Sequence, residues 1–496
     1  MPTLCHSFKT LERDVIAVLR AKIETLETKL TCLTKESKLC LTEKSTANKE
    51  TSTHFKEKIF ASRRSLLTVL FEARHTAALY NFFLAILILI ILNSWSYDVY
   101  ETGRPDLSFD LIWWAFGGFP VVVIIWFGMF LSTVAIVYPA YNSWSRIPKL
   151  PGSGEKYFLL ALYACYIIVM FYFPTRTLFS YNLPLASSYI VVCEQVRLLM
   201  KVHAFIRENI SRTMSFKTSR TDQTAAGTAE VPCPPFEKYL YFLFAPTLIY
   251  RDEYPRNRQT DWWSVAKNLA QCIGCIVYTS YVMSHLCIPL FTDFNPSFLN
   301  LKVFIVTVFR CILPGAMCLI LLFWGLLHCW MNMFAEMLRF ADRHFYNDWW
   351  NSINMANYYR DWNLIIHEWC YYYLYRDLTV LLRAVPHNRK VAALCVFLLS
   401  ATIHEYSFIT GLKLFFPIMF LLYFVFGGLF FFISRVIRMH QTWNVLMWFN
   451  LLIGQGMFTA FYSMEWYARI NCAPAYFQSD YRDRIVPRLW TCTKVS

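Results

Sequence analysis

The sequence predicts an all-α polytopic membrane protein, and three observations lead to this fold class. Of the 496 residues, 56% are hydrophobic and 18% aromatic, while only 16% are charged, against about 25% in an ordinary soluble protein. Several apolar runs reach the roughly 20 residues that a helix needs to cross a bilayer. Basic residues are concentrated in alternate connections between these runs, which is typical of a chain that crosses a membrane repeatedly.

Run length predicts about nine transmembrane helices, accompanied by amphipathic helices at the membrane surface. The fourth span is the most polar, because it contains Ser187, Glu194 and Gln195. The predicted spans lie near residues 80–97, 112–138, 157–174, 184–204, 265–290, 302–328, 391–411, 413–434 and 442–465.

The charges of the connections predict how the chain is oriented. The first loop, "DVYETGRPDLSFD", is mostly acidic, whereas the second, "YNSWSRIPKLPGSGEK", is basic. This alternation continues along the chain and predicts a cytosolic N-terminus and a luminal C-terminus. Because membrane topology accounts for the distribution of the net charge of +14, no nucleic-acid partner is expected.

Three parts are predicted: a cytosolic head at 1–75, a membrane domain at 76–470 and a luminal tail at 471–496. Apolar residues in the head recur at heptad spacing, which is typical of a short coiled coil and favours a homo-oligomer, a dimer or a tetramer. A single solvated amphipathic helix explains the same pattern, since the repeat is short. The heptad positions are Leu19, Ile23, Leu26, Leu30 and Leu33.

The cysteines predict a disulfide and no metal site. The chain has 16 cysteines, and none of them shows the spacing of a zinc site. Cys472 and Cys492 both fall in the predicted luminal tail, where an oxidising compartment permits a disulfide. We therefore expect these two cysteines to be paired.

Two stretches between predicted spans have the periodicity of amphipathic helices. They are residues 330–344, "WMNMFAEMLRFADRH", and residues 363–384, "NLIIHEWCYYYLYRDLTVLLRA". Their aromatic side chains suit the boundary between water and lipid. We expect both stretches to lie at the cytosolic interface or to pack into the helix bundle.

An apolar run near the C-terminus contains two ionisable residues. This run, "VAALCVFLLSATIHEYSFITG" at 391–411, contains His404 and Glu405, and Ser400 lies one turn before His404 on the same helical face. An ionisable group at membrane depth costs several kcal/mol unless it faces protein, a partner or water, so it indicates a functional site. His404 is suited to take a proton from an alcohol or to serve in a proton relay. A packing hydrogen bond to a neighbouring helix is the third interpretation.

The segment "HFYNDWWNSINMANYYRDWN", residues 344–363, is dense in aromatic, acidic and amide side chains. An aromatic belt at the membrane surface explains its tryptophans and tyrosines. Such a belt does not need Asp348, Asn351 and Asp361. The segment therefore indicates either a belt or part of a functional site.

These two segments resemble motifs of the membrane-bound O-acyltransferases. "FYNDWWN" at 345–351 resembles the F-Y-x-D-W-W-N signature of that family, and "HEY" at 404–406 is similar to its histidine motif. The resemblance extends over the membrane region from about residue 237 onward, is strong from 345 to 406, and does not include the head. Three segments resemble the sterol branch in particular: "NYYRDWNLIIHEWCYYYLYRDL" (357–378), "YRDEYPR" (250–256) and "PRLWTC" (487–492).

The resemblance implies roles for individual residues. His404 would be the catalytic base and Asn363 its supporting catalytic residue. Acyl-CoA would be bound by Tyr359, His367, Tyr375 and Ser400 along its tunnel, and by Arg389 at the CoA phosphates. The signature residues would be needed for activity, either through contact with CoA or by holding the fold; they are Phe345, Tyr346, Asp348, Trp349, Trp350 and Asn351.

The activity implied is transfer of a long-chain fatty acyl group from acyl-CoA to the hydroxyl of a sterol such as cholesterol, which forms a steryl ester. Diacylglycerol or another lipid alcohol is the alternative acceptor. A transporter that uses His404 in a proton relay is disfavoured, since the sequence shows no internal repeat. Acyl-CoA is a substrate, so no cofactor is expected. The family implies residence in the endoplasmic reticulum membrane.

Overall fold

The structure is a computed structural model that describes residues 57–105, 109–148, 154–221, 232–296, 299–428, 441–472, 482 and 485–492. The chain divides into two units, Met1–Ile59 and Phe60–Ser496. The heptad positions predicted in the head lie outside the described residues. Every helix in the described part of the chain belongs to the second unit.

The described residues of this unit form fourteen helices, some with π-helical turns, and contain no β-strand. They are α1 (Leu66–Leu70), α2 (Arg74–Thr102), α3 (Asp110–Arg146), α4 (Gly154–Ser180), α5 (Leu185–Thr221), α6 (Phe236–Phe244), α7 (Trp262–Leu290), α8 (Leu301–Met337), α9 (Met355–Trp362), α10 (Leu364–Trp369, Cys370–Tyr375 and Arg376–Leu381), α11 (Asn388–Leu412), α12 (Ile418–Leu421 and Leu422–Gly427), α13 (Asn444–Asn471) and α14 (Arg488–Thr491). Short 3₁₀ turns occur at Trp349–Asn351 and Gln441–Trp443.

Seven of the described helices, namely α2, α3, α4, α7, α8, α11 and α13, are long and apolar enough to cross a membrane. Each coincides with one of the predicted spans. Many of their large apolar side chains are exposed, and α2 has no buried residue at all. Such surfaces are stable in lipid and not in water. The predicted class, an all-α polytopic membrane protein, is confirmed.

The two other predicted spans differ from these seven. The span predicted at 184–204 lies in α5, which is too polar to meet the same criterion of length and apolarity. Its Leu198, Val202 and Phe205 are nevertheless fully buried, so α5 lies inside the bundle. The span predicted at 413–434 is described only to residue 428, where α12 occupies residues 418–427.

The two amphipathic stretches take different positions. The first seven residues after Trp330 continue helix α8, and the side chains of Asn332 and Glu336 are buried there. The second stretch forms α10, which packs on α5: the Trp369 indole Nε1–H donates to the Met200 carbonyl at 2.9 Å. Both stretches are thus held against the bundle.

Residues 60–65, which the sequence assigns to the head, are attached to the membrane unit. The Arg63 guanidinium donates to both Asp342 carboxylate oxygens at 2.7 and 3.1 Å. The Arg63 backbone N–H donates to the Ala341 carbonyl at 3.0 Å. This attachment lies immediately before the "FYNDWWN" segment.

Helices α8 and α13 approach each other closely at two glycines. A Cβ atom on Gly315 would lie 2.9 Å from the Gln455 carbonyl oxygen, and one on Gly456 would lie 2.8 Å from the Val308 carbonyl oxygen. Small residues of this kind let the backbones of membrane helices come into contact. The crossing positions α13 beside the aromatic core that surrounds the "FYNDWWN" segment.

Polar side chains define where several helices begin. Asp261, Asn300, Asn354 and Asn363 precede α7, α8, α9 and α10, and each accepts a backbone N–H of the first turn at 2.8–3.2 Å. Such caps satisfy donors that the helix itself leaves unpaired. The last of these residues is also one of the predicted site residues.

Candidate active site

His404 lies on α11 with one ring nitrogen bound and the other available. Its Nδ1 is 2.7 Å from the Ser400 carbonyl oxygen. A carbonyl oxygen only accepts, so Nδ1 carries a proton, and in the neutral imidazole Nε2 then carries the lone pair. Nε2 has no hydrogen-bond partner among the described residues, and the side chain is exposed. The imidazole is therefore in the tautomer that a general base requires.

Tyr423 of α12 covers one face of the His404 ring. The two ring centroids are 5.6 Å apart and the planes differ by 19°. The Tyr423 ring also contacts the Tyr359 ring, with centroids 5.0 Å apart, and the Tyr423 hydroxyl lies beside Ser400. Three predicted site residues, His404, Ser400 and Tyr359, thus meet around one side chain.

Tyr423 is not among the site residues predicted from the sequence. The available signal was that Tyr423 is the only side chain able to form a hydrogen bond in the apolar run 414–433. That signal does not say which helix the side chain meets. The contact with His404 depends on how α12 folds back on α11.

Asn363 stands between α9 and α10 with an oriented amide. Its Oδ1 accepts the Ile366 backbone N–H at 3.2 Å as the cap of α10. Since the oxygen is engaged in the cap, the Nδ2–H₂ group is the part of the amide left to donate, and it has no partner among the described residues. No hydrogen bond joins Asn363 to His404 in the described part of the chain.

The "FYNDWWN" segment fixes the backbone on both sides of Asn363. The Asn347 N–H donates to the Asp361 carbonyl at 2.9 Å, and the Leu364 N–H donates to the Phe345 carbonyl at 3.0 Å. The Asn347 side chain adds a bond to the Asp361 carboxylate at 2.9 Å. These bonds hold the short link between α9 and α10 in one position.

The signature residues divide into a buried and an exposed group. Phe345, Tyr346 and Trp349 are buried in the aromatic core, whereas Asp348 and Asn351 are exposed. Within the exposed pair, the Asn351 amide donates to the Asp348 carboxylate at 3.3 Å. The buried residues are therefore suited to stabilising the fold, whereas the exposed pair does not contribute to the core.

Tyr346 and Trp350 join distant parts of the chain. The Tyr346 hydroxyl lies 2.8 Å from Ser65 Oγ and 2.6 Å from His328 Nδ1, both buried. The Trp350 carbonyl accepts from Asn444 Nδ2 at 2.9 Å and from Trp448 Nε1 at 3.0 Å. The segment thereby connects the residues before α1, helix α8 and helix α13.

His367 and Tyr375 both lie on α10 and are half-buried. The Tyr375 ring stacks on Tyr371 with centroids 5.8 Å apart. Burial lowers the pKa of His367, and the neighbouring Arg360 guanidinium lowers it further. His367 is therefore kept neutral at physiological pH. No described hydrogen bond or ring contact joins either residue to His404.

Arg389 is exposed in the first turn of α11. Arg383 and Lys390 are exposed in the same short region, and of these three basic residues only Arg389 was predicted as a site residue. Exposed cations at the end of a membrane helix are suited to the phosphates of an anionic ligand. What relates these three cations to the site is their place at the start of α11, the helix that carries His404.

The C-terminal tail is fastened to α13. Cys472 and Cys492 form a disulfide with Cα atoms 5.6 Å apart. The buried Glu465 carboxylate accepts the backbone N–H groups of Arg488 and Leu489, each at 3.0 Å. Among the described residues, no cluster of His, Cys, Asp and Glu could hold a metal ion.

A bundle of apolar helices with an exposed histidine on one of its spans is the architecture of a polytopic membrane protein with a candidate catalytic base. The model of the membrane-bound O-acyltransferase family matches residues 21–464. The chain belongs to the membrane-bound O-acyltransferase family, and it is an acyltransferase.

Three curated relatives show where in the family the similarity lies. The chain is 42% identical over 446 residues to sterol O-acyltransferase 1 of Cricetulus griseus, a match that covers 89% of this chain and 79% of that protein. It is 42% identical over 441 residues to sterol O-acyltransferase 1 of Mus musculus, covering 88% and 80%. It is 40% identical over 437 residues to sterol O-acyltransferase 2 of Homo sapiens, covering 88% and 81%.

Proposed function

We propose that this protein transfers a long-chain fatty acyl group from acyl-CoA to the hydroxyl of a sterol, with His404 as the base. The observation that carries the proposal is the orientation of His404, whose Nδ1–H is bound to the Ser400 carbonyl so that Nε2 is left to accept a proton. The similarity to proteins named sterol O-acyltransferase supports a sterol as the acceptor.

In the proposed reaction, Nε2 of His404 removes the proton of the acceptor hydroxyl as its oxygen attacks the thioester carbonyl carbon. The carbon–sulfur bond then breaks, and the imidazolium returns the proton to the CoA sulfur. The products are an ester and free CoA thiol. The Asn363 amide N–H would stabilise the oxyanion that forms during the attack, a role that contributes about 3 kcal/mol where similar donors have been removed.

The donor would enter from the cytosolic side. Arg389, with Arg383 and Lys390 beside it, would bind the CoA phosphates, because these cations are exposed where α11 begins. Tyr359, His367, Tyr375 and Ser400 would line the path of the acyl chain towards His404. The acceptor alcohol would arrive through the lipid, as its own apolarity demands.

The cellular setting is part of the same proposal. The protein would reside in the endoplasmic reticulum membrane with a cytosolic N-terminus and a luminal C-terminus, which suits the alternation of charge along its loops. It would work as a homo-oligomer, a dimer or a tetramer, for which the heptad spacing of the head is the support.

The acceptor is tested in microsomes from cells that lack sterol and triacylglycerol acyltransferases. Labelled oleoyl-CoA is supplied together with either cholesterol or diacylglycerol, with microsomes from cells not expressing the protein as the background. We expect labelled steryl ester and no labelled triacylglycerol. Triacylglycerol alone would overturn the sterol acceptor, and the absence of both products from folded protein would overturn both acceptors.

A further inference from the structure

Glu405, which follows His404 directly, is a buried carboxylate without a cation. Its side chain points away from the exposed face of α11, and the residue is only 5% exposed. No ion pair involves it among the described residues. A carboxylate that is buried in this way requires hydrogen-bond donors, or it destabilises the fold.

The donors come from helices α12 and α13. The Phe420 backbone N–H donates to Glu405 Oε2 at 2.9 Å. The Tyr462 hydroxyl donates to the same carboxylate, 3.2 Å from Oε1 and 3.3 Å from Oε2, and itself accepts the Met419 N–H at 3.1 Å. Glu405 and Tyr462 together satisfy the first turn of α12, a position where a negative charge is favourable.

The same short helix carries the ring that covers His404. Tyr423 lies three residues after Phe420 and stacks on the His404 imidazole. At its far end, Gly427 packs so closely on the Tyr359 hydroxyl that any Cβ there would collide with it. Tyr423 also stacks on Phe397 of α11, with ring centroids 4.7 Å apart. Its position therefore depends on these ring contacts and on α12, which Glu405 holds at its start and Tyr359 at its end.

We propose that Glu405 and Tyr462 are a pair of positioning residues that hold Tyr423 against His404 and so keep Nε2 aimed at the acceptor hydroxyl. The bond from Nδ1 to the Ser400 carbonyl restrains the His404 ring at one edge only. The Tyr423 face supplies the second restraint. The inference rests on the proposed role of His404 as the base.

The test compares Glu405→Gln, Tyr462→Phe and the double variant as purified full-length protein. Glu405→Gln keeps the shape of the side chain and removes the negative charge that accepts from α12. Tyr462→Phe keeps the ring and removes the hydroxyl that lies between Glu405 and the Met419 N–H. Because a misplaced reacting group lowers turnover, we expect kcat to fall by about tenfold in each, with an unchanged KM for oleoyl-CoA. The double variant is expected to be no slower than the slower single variant, since both remove one link.

The matched control is Glu465→Gln. Glu465 is also a buried carboxylate that accepts two backbone N–H groups at the start of a short helix, α14. Unlike Glu405, it also pairs with the Arg469 guanidinium, 2.7 Å from Oε1. Glu465→Gln makes the same exchange of a buried carboxylate for an amide away from α12, and it is expected to leave kcat at the wild-type value in the folded fraction. Loss of kcat in this control, equal to that of Glu405→Gln, would show a general effect of buried charge and overturn the proposal.

Two further outcomes would also overturn it: a wild-type kcat in folded Tyr462→Phe, or a raised KM with unchanged kcat. If Glu405→Gln does not fold, Tyr462→Phe decides the question by the same criteria, since it removes a single hydroxyl. His404→Ala is measured in parallel. Full activity in that variant would refute the role of His404 itself, whereas an inactive His404→Ala with a normal Tyr462→Phe would refute only the positioning pair.

Discussion

At the scale of single residues, one hydrogen bond engages one atom of each key side chain and leaves another atom available to a substrate. His404 donates from Nδ1 to the Ser400 carbonyl, so the lone pair remains on Nε2. Asn363 uses Oδ1 to cap α10, so its amide N–H groups remain as donors. Local backbone bonds thus give the proposed base and the proposed donor their chemical orientation before any substrate binds.

The buried tyrosine of the "FYNDWWN" segment provides a test at this scale. Tyr346→Phe removes the hydroxyl that lies between Ser65 and His328, and it leaves two buried polar groups with fewer partners. We expect the free energy of unfolding to fall by about 1–2 kcal/mol. A lowered midpoint of thermal unfolding in detergent measures this loss.

Tyr100→Phe is the control for that change, because Tyr100 is 85% exposed. Its midpoint is expected to match that of the wild type. Equal midpoints for Tyr346→Phe and Tyr100→Phe would contradict the structural role given to the buried signature residues.

At the scale of helices, hydrogen bonds explain why α5 can be both polar and buried. The Ser187 hydroxyl donates to the Gly117 carbonyl at 2.8 Å, and the Gln195 amide donates to the Met170 carbonyl at 2.8 Å. Glu194 accepts from the Trp126 indole and from Arg197. The polar residues of the span predicted at 184–204 are thus hydrogen-bonded to neighbouring helices or to residues of α5 itself.

The close crossing of α8 and α13 gives a second prediction. In Gly456→Ala the new methyl group would lie 2.7 Å from Ile312 Cγ1 and 2.8 Å from the Val308 carbonyl oxygen, so the backbones must separate. We expect a destabilisation of about 1–3 kcal/mol, measured as a lower midpoint of thermal unfolding.

Gly454→Ala is the matched control, since it lies on the same helix and its Cβ would meet nothing within 4 Å. Its midpoint is expected to equal or exceed that of the wild type, because alanine favours helix more than glycine does. The crossing would have no structural importance if both variants unfolded at the same temperature.

At the scale of the whole molecule, the sequence predicts what depends on neighbours along the chain. Seven spans follow from run length, and His404 stands out because it is ionisable within an apolar run. The fold class and the family assignment are confirmed. The roles of His404, Asn363 and the acyl-CoA residues stay predictions.

Contacts between distant segments could not be predicted from the sequence. The stacking of Tyr423 on His404 requires α12 to fold back on α11, and the bond from Tyr462 to Glu405 requires α13 to lie beside both. Neither contact leaves a periodic signal, since each joins one side chain to another across a change of direction. The exposure of His404 belongs to the same class, because it depends on what packs beside α11.

The central claim is that His404 is the catalytic base. It is tested most directly by the kcat of purified His404→Ala with oleoyl-CoA and cholesterol, beside His285→Ala, another span histidine, which contacts Tyr281 instead. We predict a loss of at least about 100-fold for His404→Ala and the wild-type kcat for His285→Ala. Wild-type turnover by folded His404→Ala would contradict the account.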